Sequence, residues 1–183
     1  MGYAIIVETG FSLLALSLGS QPGLTIFLLL LVPRALSLTV WAFALSILKE
    51  HAPGLSLANV KGIGRMWPFA TSSMIMANLA LAGMPLLAGF PTHQAVWEGL
   101  ARSSLPLALW VLVGSLGLIT SAVRAMAAFA TSRETTTWGT RESQPQRILL
   151  VIGLLGLFLL GVFPQWTLPL WTKLPAIFAH LGQ

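Results

Sequence analysis

Between Asn78 and Leu100 the chain reads NLALAGMPLLAGFPTHQAVWEGL, two apolar helical pieces on either side of a middle that carries Gly83, Pro85, Gly89 and Pro91. Proline removes a helical N–H and its ring clashes with the preceding turn, so no straight helix runs through this middle. In hydrocarbon every freed N–H and C=O is heavily penalised, and the break is expected either to be buried in protein or to line a wet cavity. His93 follows at once, a titratable group at the depth of the break. Ion-moving membrane proteins use a discontinuous helix beside an ionisable residue to build a site near the bilayer midplane. A proline-kinked packing helix with a hydrogen-bonded histidine is the plainer reading of the same residues.

A lipid setting follows from composition. Hydrophobic residues make up 56% and charged residues 8%, with a mean hydropathy of +0.84; soluble domains have about 45–50% apolar and about 25% charged residues. The chain is therefore read as an all-α, polytopic integral membrane protein. A span takes about 20 apolar residues, which leaves room for five or six crossings and none for a separate soluble domain. The formal charge of +5 comes from ten Lys and Arg against five Glu. These cations lie between apolar runs, where membrane orientation uses them, so the expected contact is the bilayer and not nucleic acid. The absence of cysteine excludes disulfides and Cys-ligated zinc or iron–sulfur clusters. Met1-Gly2-Tyr3 is not expected to begin a signal peptide, having no basic segment or cleavage site around it.

Taken in order, the candidate spans cover residues 3–19, 24–48, 67–101, 107–131 and 148–163, five crossings of which the third is a broken helix. A membrane domain over 1–163 is followed by a tail, 164–183, whose Trp166 and Trp171 suit an interfacial level. Ser20-Gln21-Pro22-Gly23 is expected to turn between the first two spans. Polar links run over 49–65 and 132–147, and together they hold six of the ten Lys and Arg: Lys49, Lys61, Arg65, Arg133, Arg141 and Arg147. The bias of positive loops to the inside places the N-terminus in the cytoplasm and the C-terminus outside.

Glu8, Arg34, His93 and Arg124 fall within spans, and Glu98 lies nearer an end. A central charge costs about 2.5–3.5 kcal/mol on insertion scales, so each calls for a reason. Arg124 can snorkel to the nearby link. Glu8 and Arg34 lie at similar depth in a hairpin of the first two spans and are expected to pair, either as a clamp or as a stage of a proton path; the clamp is favoured because Arg stays protonated. His93 and Glu98 are not on one helical stripe, which argues against joint work. No phosphate loop, nucleophile–base pair or metal-ligand cluster is present in the sequence.

These residues resemble the antiporter-like subunits of respiratory complex I and the related multisubunit cation/proton antiporters. Leu81 to Phe90, LAGMPLLAGF, resembles their hallmark Leu-Ala-Gly-apolar-Pro-x-x-Ala-Gly-Phe on the second broken helix. Lys61 to Pro68 is similar to the Gly-Leu-x-x-x-x-Pro link that introduces that helix. Tyr3, Ile6, Gly10 and Phe11 are in register with the Tyr-Ser-Ser-Ile-x-x-x-Gly-Tyr start of the tenth helix, and Arg34-Ala35-Leu36-Ser37 resembles the His-Ala-Leu-Ser of the next. The resemblance covers residues 3–163 and only the C-terminal part of a family member. It implies two inverted five-helix repeats that pass protons through half-channels, of which this chain supplies the second. It also implies a membrane-arm role in a complex I-like quinone oxidoreductase or a cation/proton antiporter, in a bacterial inner membrane. Partner subunits are expected, and either one of them supplies the N-terminal repeat or this chain is a shortened relative. Flavin, iron–sulfur and quinone chemistry would belong to those partners, with no cofactor or metal in this chain.

The departures bear on mechanism. The family's Lys shortly after Ala-Gly-Phe falls on His93, the Lys after the His-Ala motif on Leu38, and the His itself on Arg34. Imidazole still exchanges protons, its reference pKa being about 6.5 against about 10.4 for an amine; Leu38 carries nothing. The proton-path candidates are thus His93, Glu8 and Arg34, with Gly83, Pro85, Gly89 and Pro91 as the hinge. Two other readings stay open: a degenerate, non-conducting copy that fills an interface in a large membrane complex, and an unrelated transporter or assembly factor.

Overall fold

The computed structural model describes residues 2–52, 54, 59–131 and 139–166. Six α-helices and no strand occur among them: α1 (Gly2–Ser17), α2 (Ser20–His51), α3 (Pro68–Leu81), α4 (Phe90–Ser103), α5 (Leu105–Ala130) and α6 (Gln144–Val162), with short 3-10 turns at Ile63–Arg65 and Pro164–Trp166. Three are long and apolar enough to cross a membrane, over Gly23–His51, Leu105–Ala130 and Gln144–Val162. α1 is apolar but shorter. Arg133, Glu134 and the tail beyond Trp166, with Trp171, lie outside the described residues.

The turn expected at Ser20 to Gly23 is instead the start of α2, and the chain reverses at Leu18–Gly19. Gly19 supplies the positive φ of 63° that the reversal needs. Pro22 loses nothing in the first turn of α2, because the first N–H groups of a helix have no intrahelical acceptor. α2 also continues through Pro33.

Apolar layers stack along the bundle. At one end Ala44, Ile47 and Leu48 of α2 meet Ala70 of α3, Phe129 of α5 and Leu150 of α6. In the middle Val40 and Trp41 meet Ala77, Ala80 and Leu157, while Ala4 meets Leu81 and Leu118. At the other end Phe11, Ala15 and Leu30 meet Val96, Leu100, Ala108 and Val111. α3 and α4 thus follow one another along the same two long neighbours, α2 and α5.

The two polar links dock on each other. Met66 O accepts from Arg141 N at 2.9 Å, and Glu142 Oε1 accepts from the amides of Phe69 and Ala70 at 2.9 and 3.3 Å. A buried carboxylate thus sits on the positive end of α3, where Pro68 opens the helix and Trp67 offers no side-chain cap. Ser143 and Gln146 form a capping box at the start of α6.

Candidate functional site

α3 ends and α4 begins around residues 82–89. Gly83 N donates to Ala80 O and Met84 N to Leu79 O, which with the Gly83 φ of 74° makes a Schellman cap closing α3. Pro85 follows where no helix has to continue, and Pro91 sits in the first turn of α4, where its missing N–H does no harm. Leu87 N to Met84 O and Phe90 N to Leu87 O close the remaining turns. The break therefore meets much of its own backbone demand. Leu87 to Gly89 are buried, and Met84 to Leu86 face outward. Gly89 lies so close to the end of α3 that a Cβ there would run into the Ala80 carbonyl.

Two amphipathic stripes converge on this break. On α1 the inward positions are Ala4, Glu8, Phe11, Ser12 and Ala15; on α4 they are Thr92, His93, Val96 and Leu100. Glu8 and His93 are 2% and 1% exposed, and Glu8 Oε1 lies 3.3 Å from His93 Nε2. The expected Glu8–Arg34 pair is not formed. Arg34 instead donates to Ser12 Oγ at 3.3 Å and Thr9 Oγ1 at 3.2 Å, while Glu8 turns from α2 towards α4. Similar depth does not decide which neighbour a carboxylate faces; the side of the helix does, and Glu8 is on the stripe that meets α4. Glu98 accepts from Gln94 and stays apart from His93's contacts.

The imidazole is held on every side. Nδ1 lies 2.7 Å from Gly89 O, and a carbonyl can only accept, so Nδ1 carries a proton. Phe11 meets the ring edge-on at a centroid distance of 4.1 Å, and a Cβ on Gly83 would press on it at 2.9 Å. With Nδ1 protonated, the Nε2–Glu8 contact has room for one further proton, carried by nitrogen or by oxygen. Neither Nε2 nor Oε1 has a well-aligned hydrogen bond, so the two buried atoms face each other without another partner. The space bounded by Glu8, Arg34, Ser37, Gly89 and His93 admits no water-sized sphere. A cavity of about 410 Å³ lies nearby, lined by Tyr3, Val7, Trp41, Asn78, Gly117 and Ser121. No group of three or more His or carboxylate side chains able to hold a metal occurs among the described residues.

The profile of the NADH:quinone oxidoreductase/Mrp antiporter transmembrane family matches residues 1–120, which include α1, α2, the break and the Glu8–His93 pair. The chain belongs to this family. Relatives within it include NADH-quinone oxidoreductase subunit N 1 of Herpetosiphon aurantiacus, 24% identical over 177 residues, covering 90% of this chain and 34% of the relative. Subunit N of Thermobifida fusca is 33% identical over 130 residues, 68% of this chain and 22% of the relative. Subunit N 1 of Solibacter usitatus is 28% identical over 183 residues, 94% of this chain and 36% of the relative. The chain thus spans about a third of the length of the curated relatives that it matches along most of its own. Family membership and the long apolar helices make it an integral membrane protein with an antiporter-like sequence.

The sequence names Glu8, Arg34, His93 and the four hinge residues but not what holds them: the Gly89 carbonyl against His93, and the Ser12 and Thr9 hydroxyls against Arg34. The Gly89 carbonyl is one helical turn before His93, and Ser12 and Thr9 lie one turn or less from Glu8. The i, i+4 spacing of Gly89 and His93 was the available signal.

Proposed function

We propose that this chain contributes one antiporter-like half of a proton-translocating module in the membrane arm of a complex I-like oxidoreductase or of a cation/proton antiporter assembly. Residues 1–163 would form the membrane domain with five crossings, and 164–183 an interfacial tail. α3 and α4 would be the halves of one broken crossing, a reading supported by their succession along α2 and α5. The six cations of the polar links favour a cytoplasmic N-terminus, in a bacterial inner membrane. Other membrane subunits, one supplying the other repeat, would complete the assembly, and any redox cofactor would reside in them.

The observation that carries the proposal is the buried Glu8–His93 contact, 3.3 Å between carboxylate and imidazole. The pair loads when a proton enters and unloads when it leaves. Because its immediate surroundings exclude water, each event needs a local opening of the structure, and the cavity beyond Val7 is the side from which water could reach it. Arg34 beside the pair keeps its charge throughout and sets the local field. In liposomes holding the assembled complex, His93→Ala should abolish pH-driven dye quenching and His93→Lys should restore part of it.

The non-conducting reading has its own support, Leu38 in place of a titratable residue and the dry surroundings of the pair. Undiminished quenching in His93→Ala would select it.

A further inference from the structure

Arg34 is a permanent charge with no carboxylate in direct contact. Among the described residues no carboxylate lies within 4.0 Å of its guanidinium. Its hydrogen-bond partners are two neutral hydroxyls, Ser12 and Thr9. Glu8 borders the same closed space as Arg34.

The headgroups lie far from this charge. At the α-helical rise Arg34 lies about 21 Å from the start of α2 and about 26 Å from its end, near the middle of the helix, where in a core about 30 Å thick the headgroup level is about 15 Å away and beyond the reach of its side chain. The side chain is only half-buried. It emerges among Thr9, Leu13, Leu31 and Ala35, all exposed on a mostly apolar face shared by α1 and α2. Acyl chains carry no acceptor, and at this depth an acceptor on another polypeptide has to be borne by an element that satisfies its own backbone, which means a helix.

We propose that this α1–α2 face docks a neighbouring transmembrane helix carrying an aspartate or glutamate at the level of Arg34, and that the ion pair fixes the depth and rotation of that helix. The proposal rests on the reading of the chain as part of a larger membrane assembly, with which the greater length of its relatives agrees. Charge complementarity selects the occupant: a guanidinium that always stays charged is met best by a bidentate carboxylate.

The test is made in native membranes with the full chain. Arg34→Gln should lower the fraction of chain that co-migrates with the complex on a native gel by about tenfold or more, at an unchanged amount of inserted chain, while Arg34→Lys retains most of it. The Thr9→Ala/Ser12→Ala double variant, which removes only the internal partners, should assemble normally. Should Arg34→Gln insert poorly, a photoreactive residue at Leu31 in the otherwise unaltered chain gives the answer. Its adduct should map to a membrane helix with Asp or Glu within a turn, and Arg34→Glu should be rescued by changing that carboxylate to Arg. Normal assembly of Arg34→Gln would overturn the proposal. So would adducts with lipid alone, with a second copy of this chain, or with a helix lacking a carboxylate, or a charge swap without rescue. His93→Ala tests the proton reading separately, by dye quenching at an equal amount of assembled complex, so failure of the docking reading and failure of the proton reading give different patterns.

Discussion

The imidazole of His93 occupies the space that a side chain on Gly83 would need: a Cβ built there meets the ring at 2.9 Å. The cap that ends α3 and the titratable group that opens the next helix are therefore one packing unit.

Gly83→Ala should lower stability by about 1–3 kcal/mol, since it adds a clash to an unfavourable left-handed φ. The His93→Ala background should remove the clash and keep the backbone penalty. Thermal unfolding in detergent, followed by circular dichroism, should give a less-than-additive double-mutant cycle. Full additivity would mean the two residues do not press on each other.

Leu86 is the one non-glycine residue among those described with a positive φ, at 71°, and its side chain is largely exposed. Leu86→Gly should raise stability by about 1 kcal/mol, as little packing is lost and the left-handed strain is relieved. A higher unfolding temperature in detergent checks it; an unchanged or lower one would show that the leucine is held by contacts worth more than the strain.

Glu142 caps α3 from the far link with one carboxylate oxygen on two amides. Glu142→Ala should cost about 1–2 kcal/mol, within the range for lost caps, and loosen the link so that proteolysis between α5 and α6 quickens. Glu142→Gln keeps an acceptor and should lie between Ala and the native residue. Equal cleavage rates in all three proteins would show that the carboxylate does not hold the link.

If Glu8 and His93 hold one proton together, their losses do not add. Glu8→Gln and His93→Ala should each abolish dye quenching in the assembled complex, and the double variant should be no worse than either. Partial quenching in each single variant with a further fall in the double would mean two independent carriers.

The amino-acid sequence by itself determined the membrane setting, the helical class, the family and the position of the break. These follow from local chemistry: apolar runs long enough for a bilayer, and glycines and prolines that no helix interior accepts. It also marked His93 and Glu8, because ionisable groups in apolar runs stand out one residue at a time. It misled at Ser20 to Gly23, where proline belongs to a helix start and a single glycine before it makes the turn. Only the tertiary structure decided that Glu8 faces His93 and leaves Arg34 to two hydroxyls. Depth along a helix can be counted from sequence, but which neighbour a side chain meets depends on how α1 and α4 are rotated about their own axes, and that rotation is set by the packing of Phe11, Ala15, Val96 and Leu100 against one another.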